Sequence, residues 1–185
     1  VGGYFWSYSM ITTVNPATGE TIAEYDELDE GGIEKSLSLA TDAFSDWRQS
    51  PVSERTKLLA ALGDVYDERR EELAKLAVTE MGKPITQARA EVEKCANLFR
   101  HYAEHGPPML EPLDWKLGEG RRAEGRWLPL GPVLAVMPWN FPYWQVVRFM
   151  APTILAGNVG VLKHASAVQG VAAKLEELVL EAGGR

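Results

Sequence analysis

The sequence predicts an α/β protein with three successive textures. These are a helical amino-terminal segment, a β-hairpin, and the first βαβα part of an incomplete parallel sheet. Three observations carry this expectation. Apolar residues recur at helical spacing from Ile33 to Tyr102. Residues 113–130 then mix glycines, tryptophans and charges. Finally, the apolar run from Gly131 to Met137 stops at Pro138-Trp139-Asn140-Phe141-Pro142, and an apolar helical stretch follows. A second Val-rich run then ends on Lys163.

Composition narrows the function classes. With 185 residues and 45% hydrophobic content, the chain can bury a proper core. A net charge of −7 with no offsetting basic run argues against nucleic-acid binding. No apolar stretch reaches membrane-spanning length uninterrupted, so no membrane partner is expected. The single cysteine excludes an internal disulfide framework and fits a reducing, cytoplasmic setting. Residues 1–9 lack the features of a signal peptide and read as a non-native or disordered arm.

Taken in order, Val14-Asn15-Pro16-Ala17-Thr18-Gly19-Glu20 is a turn, with Gly19 free to take positive φ. Residues 20–26 alternate as an edge strand would. Ile33, Leu37, Ala40, Phe44 and Trp47 form a helical stripe that ends before Pro51. Ser53 is placed to cap the next helix, whose inward face is Leu58, Leu59, Leu62, Val65 and Tyr66. Leu73, Leu76 and Ala77 continue the spacing, Gly82-Lys83-Pro84 breaks it, and Ile85, Ala88, Val92, Cys95, Phe99 and Tyr102 make a third stripe up to Gly106-Pro107-Pro108. The following hairpin should carry its arginines on one face. After Lys163, a helix over Val168–Leu180 turns Val171, Leu175, Leu178 and Val179 inward and ends at Gly183-Gly184. Two parallel strands leave an open sheet edge, so the sequence is expected to be the front of a longer protein.

Ligands of open α/β sheets bind beyond the carboxyl ends of the strands, which is where Asn140 and Lys163 fall. No Gly-x-Gly-x-x-Gly joins the first strand to its helix, so the usual dinucleotide fingerprint is absent. Cys95 lies on an apolar helical stripe and reads as a small core residue rather than a nucleophile. His101 and His105 share a helix face, but with no third ligand nearby they read as a helix-end pair, and no metal site is expected.

Several motifs occur together: Asn15-Pro16-Ala17-Thr18-Gly19-Glu20, Thr79-Glu80-Met81-Gly82-Lys83-Pro84, Pro138-Trp139-Asn140-Phe141-Pro142, and Leu155-Ala156-Gly157-Asn158 followed by Val161-Leu162-Lys163. In this order they resemble the aldehyde dehydrogenase superfamily over residues 11 to 185. Gln87-Ala88-Arg89-Ala90-Glu91-Val92, Tyr102-Ala103-Glu104-His105-Gly106-Pro107 and Leu162-Lys163-His164-Ala165 look most like its bacterial succinate-semialdehyde dehydrogenase branch. The resemblance implies a Rossmann-like cofactor domain in which residues 10–112 are the helical amino-terminal part and 131–185 the first βαβα, with 113–130 the hairpin of an oligomerisation element. It implies a small aldehyde substrate, NADP or NAD as cofactor, and a homodimer or homotetramer when intact.

The resemblance also assigns roles. Asn140 would donate a hydrogen bond to the aldehyde oxygen as a thiolate attacks, worth about 3 kcal/mol in the transition state; otherwise it caps its turn. Lys163 would bond the adenosine ribose, or else is a solvated strand end. Ser166 stands where NAD-preferring relatives carry glutamate, so it removes a repulsion and NADP should be accepted at least as well as NAD. Met137, Pro138 and Trp139 would line the nicotinamide side, although Trp139 also suits a core aromatic. Arg148 would bind a substrate carboxylate with Phe141 nearby, or is a snorkelling surface arginine. The nucleophilic cysteine, its glutamate base and the pyrophosphate-binding turn would all lie beyond Arg185.

Overall fold

A computed structural model describes residues 10–184, so the amino-terminal arm lies outside the described residues. Strands β1 (Met10–Val14) and β2 (Thr21–Asp26) form an antiparallel pair. The turn between them is closed by Asn15 Oδ1, which accepts from the Ala17 N–H at 2.9 Å. Four helices follow: α1 (Glu30–Trp47), α2 (Val52–Glu68), α3 (Arg70–Met81) and α4 (Ile85–His105). Gly82, at φ +69°, ends α3 in the left-handed conformation that a side chain would disfavour. The hairpin is β3 (Leu113–Lys116) and β4 (Arg122–Gly125), and the parallel unit is β5 (Pro132–Met137), α5 (Trp144–Leu155), β6 (Val159–His164) and α6 (Gln169–Glu181).

The core is where α2, α3 and α4 meet α5 and α6. Leu59, Leu62, Tyr66, Leu73, Val92, Phe99, Tyr143, Val147, Val171 and Leu178 are all fully enclosed there. Tyr66 sets its ring edge-on to Phe99 and Tyr143, with centroids 5.3 Å and 6.3 Å away. The Tyr143 hydroxyl donates to Leu73 O at 3.0 Å, so this aromatic is tied to α3 as well as packed against it. Both ends of α5 are held by the helical block. At its carboxyl end, Trp47 Nε1 donates to Ile154 O at 3.2 Å, and the buried Arg55 donates to Leu155 O at 3.2 Å.

Four expectations need correction. Ser53 does not cap α2: Pro51 takes that position, its fixed φ of −66° leading into the helix without a side-chain bond. The α1 stripe is only partly inward, because Ile33 and Leu37 remain exposed and Ala40 alone is buried. The hairpin gathers its arginines on one face only in part. Arg122 shares a strand face with Glu124, while Arg121 lies in the turn and Arg126, beyond the strand, pairs with Glu124. The last helix begins at Gln169, because Ser166–Val168 form a separate 3-10 turn.

The parallel pair aligns Val136 with Lys163 and Met137 with His164, so both strand ends fall on one edge. Asn158 ties the strand starts together, its Oδ1 accepting from the Leu130 and Gly131 N–H groups at 2.6 Å and 3.0 Å. Leu134 and Val136 point away from the core and are exposed. No helix of the described residues is long and apolar enough to cross a membrane.

Candidate active site

The chain leaves β5 at Met137 and enters α5 at Trp144, and the connecting residues form a proline-bounded turn. Pro138, Trp139, Asn140 and Phe141 are exposed, whereas Pro142 and Tyr143 are buried. The turn therefore has a wet outer side carrying Asn140 and a dry inner side carrying backbone. Trp139 is 53% exposed, which corrects its reading as a core aromatic. The Asn140 side chain makes no hydrogen bond among the described residues, so it does not cap the turn. Its amide is available to a ligand.

The inner side is held by side chains from elsewhere. Glu91, on α4, accepts from the N–H groups of Tyr143 and Trp144, both at 2.9 Å, through one carboxylate oxygen. The other oxygen pairs with Lys83, whose ammonium also donates to Asn140 O at 3.2 Å and lies 3.9 Å from the centroid of the Phe141 ring. Lys83 and Glu91 are both 4% exposed. His164 closes the clamp from β6. Its Nδ1 accepts from the Ala165 N–H at 2.9 Å, which leaves Nε2 protonated to donate to Pro142 O at 2.9 Å. Burial holds its imidazole below the usual 6.5, the neutral form this arrangement requires.

A second carboxylate does the same work at the next junction. Glu80, on α3, accepts from the Gly170 N–H at 2.7 Å and the Val171 N–H at 2.9 Å, in the first turn of α6. A Cβ on Gly170 would lie 2.6 Å from Glu80 Oε1, so only glycine allows this approach. Burial pushes the Glu80 carboxyl above its ordinary range, against the opposing pull of those two N–H groups. Helix starts after parallel strands are the usual phosphate seats of an α/β sheet. Here protein carboxylates occupy both. That accounts physically for the missing glycine fingerprint: a pyrophosphate has no free cradle at the start of α5 or α6.

The remaining positions are dispersed along the same edge. Lys163 is exposed one residue before β6 ends, so the strand runs one residue beyond where the sequence placed its terminus, and Ser166 is exposed in the following turn. Both are open to solvent on this edge. Met137 is half-buried at the end of β5. Arg148 is exposed on the outer side of α5, away from the enclosed Val146 and Val147. Cys95 is fully enclosed and burial pushes its thiol well up, so it is an inert core residue. His101 and His105 stack at the end of α4, with ring centroids 4.9 Å apart. Among the described residues, no three His, Cys, Asp or Glu side chains gather as a metal site would require.

Sequence reasoning missed Lys83, Glu91, Glu80 and His164 as holding groups. A signal was available for the two glutamates. Glu91 follows Ala88 by three residues and precedes Cys95 by four, and Glu80 follows Ala77 by three, so each carboxylate interrupts an apolar stripe.

Comparison with known proteins places this geometry. Residues 6–184 match the model of the aldehyde dehydrogenase family. The succinate semialdehyde dehydrogenase Sad of Escherichia coli (strain K12), named for NAD(P)+, is 46% identical over 171 residues, covering 92% of this chain and 37% of the relative. The NADP(+) succinate-semialdehyde dehydrogenase 1 of Mycobacterium tuberculosis (strain ATCC 25618 / H37Rv) is 42% identical over 175 residues, covering 94% and 38%. The crystal structure of succinic semialdehyde dehydrogenase from Streptococcus pyogenes in complex with NADP+ superposes with a TM-score of 0.89 at 34% identity, over 97% of this chain and 39% of that one. The chain thus spans less than two-fifths of the length of these relatives.

Proposed function

This chain belongs to the aldehyde dehydrogenase family, and we propose that it supplies the oxyanion-binding half of the active site in an NAD(P)-dependent oxidation of succinate semialdehyde to succinate. In this reading, residues 10–112 are the helical amino-terminal part of the cofactor-binding domain and 131–185 its first βαβα. The hairpin of residues 113–130 belongs to an oligomerisation element of a homodimer or homotetramer. Its exposed Leu113, Trp115 and Leu117 are apolar surface suited to a partner copy.

The observation that carries the proposal is the Asn140 turn: an exposed, unengaged amide on a turn whose backbone is fastened from within. When a thiolate adds to an aldehyde carbon, the carbonyl oxygen gains negative charge. A fixed neutral donor stabilises that charge more than it stabilises the ground state. Cys95 is enclosed and is not that thiol, so the nucleophile comes from another part of the protein. The nicotinamide, when bound, supplies the hydride acceptor. Met137, Pro138 and Trp139 would line its side of the site, and Lys163 and Ser166 would hold the ribose end. Serine at that position places no carboxylate against a 2′-phosphate, which supports use of NADP as well as NAD. Arg148, with Phe141, would receive the distal carboxylate of the substrate through its planar fork.

Two measurements on the intact enzyme test this reading. Asn140→Ala should lower kcat about 10²–10³-fold, the cost of one oxyanion donor; an unchanged kcat rules the role out. Arg148→Ala should raise KM for succinate semialdehyde far more than for an uncharged aldehyde of similar length. Equal changes for both substrates would remove the carboxylate role and leave another aldehyde as the substrate.

A further inference from the structure

We propose that the buried Lys83–Glu91 pair is a positioning device for catalysis, which sets the direction of the Asn140 amide by gripping the backbone on either side of it. The inference rests on the reading of Asn140 as oxyanion donor and extends it to residues that touch no substrate.

The geometry is complete at the level of donors and acceptors. The Lys83 ammonium has three N–H groups and three places to put them: the Glu91 carboxylate, Asn140 O, and the face of the Phe141 ring. Glu91 spends one oxygen on Lys83 and the other on the N–H groups of Tyr143 and Trp144. The pair therefore fastens residue 140 by its carbonyl and residues 143–144 by their amides. Between them, His164 fastens Pro142 by its carbonyl. Drawing Asn140 O inward orients the residue so that its side chain projects to solvent, where it is exposed and unengaged. A donor must sit within about 0.5 Å of its productive place, and an open turn has little else to hold it there. Burying two full charges is costly and stabilises a fold no better than apolar packing would. What the charges add is a fixed direction for three backbone groups.

The closing experiment is a double-mutant cycle in the intact enzyme, between the pair and Asn140. The double substitution Lys83→Met/Glu91→Gln removes both charges together and leaves no lone buried ion. It should lower kcat about 100-fold, the scale of an ångström-sized misplacement, with a much smaller change in KM for the cofactor. In that background, adding Asn140→Ala should cost far less than it does in the unaltered enzyme. Full additivity of the two effects overturns the proposal, as does an unchanged kcat in the double variant. Should the double variant not fold, the charge-conserving Glu91→Asp, which shortens the carboxylate's reach and leaves no lone buried ion, carries the same cycle. If Asn140→Ala by itself leaves kcat intact, the functional reading fails, and the grip is then judged by hydrogen exchange. Faster exchange at the Tyr143 and Trp144 amides in Glu91→Gln supports the grip, and unchanged exchange overturns it.

Discussion

The two strand-to-helix junctions of the parallel unit, β5 to α5 and β6 to α6, are built on one plan and differ in one charge. Neither helix has a capping side chain of its own: the residues at the cap positions are Tyr143 and Val168, and neither bonds the first turn. Each borrows a carboxylate from the helical block, Glu91 from α4 and Glu80 from α3, and each carboxylate accepts from two backbone N–H groups. The carboxylate also meets the positive end of the helix dipole, a favourable placement. At the first junction Lys83 balances the charge. At the second no cation pairs with Glu80 among the described residues, and burial raises its carboxyl. The balanced junction is the one that carries the proposed catalytic amide. Its backbone is thus gripped by an ion pair, while the other junction rests on a carboxylate with no cation beside it.

The largest expected effect comes from unbalancing the first junction. Lys83→Met leaves Glu91 buried with backbone N–H groups as its remaining partners. Breaking one side of a buried pair costs about 3–5 kcal/mol, measured as the change in unfolding free energy under denaturant. Lys83→Met/Glu91→Gln should recover a substantial part of that loss, since no lone charge remains. If the single and double variants are equally destabilised, the charge balance is not what separates the two junctions.

The same contrast explains what could be read from the sequence. The helical stripes of α2 and α4, the hairpin, and the parallel order of β5 and β6 follow from periodicity and turn chemistry, because local spacing alone decides them. Asn140 and Lys163 were placed because strand ends are the ligand side of an α/β sheet. The grip on the Asn140 turn was not legible in the same way. It joins residues 57 positions apart, Lys83 to Asn140, and 52 apart, Glu91 to Tyr143. No local pattern encodes such a distance. The exposed Ile33 and Leu37 of α1 show the opposite failure: their spacing is helical, yet the described residues offer too little surface to cover them. Trp139 likewise reads as core by size but sits on the outer side of a turn bounded by prolines.

The smallest effect, and the one that sharpens the comparison most, is the pH response of the second junction. The folded state raises the Glu80 carboxyl above the 4.5 of a free glutamate, so in that window the folded state binds the proton more tightly than the unfolded one. Stability from this group is therefore full below 4.5 and is lost as pH rises through the higher folded value. His164 acts with the opposite sign. Its imidazole is held below 6.5, so stability is lost as pH falls from 6.5 through the lower folded value. Glu80→Gln separates the two. It removes the loss on the rising side, leaves the His164 loss on the falling side, and gives up one of the two acceptor oxygens at the start of α6, a cost of about 1 kcal/mol. Unfolding curves collected across pH for the unaltered protein and Glu80→Gln should therefore differ in slope above 4.5. Parallel curves would mean that Glu80 is ionised as readily folded as unfolded, and that the missing lysine leaves no mark on this junction's response to pH.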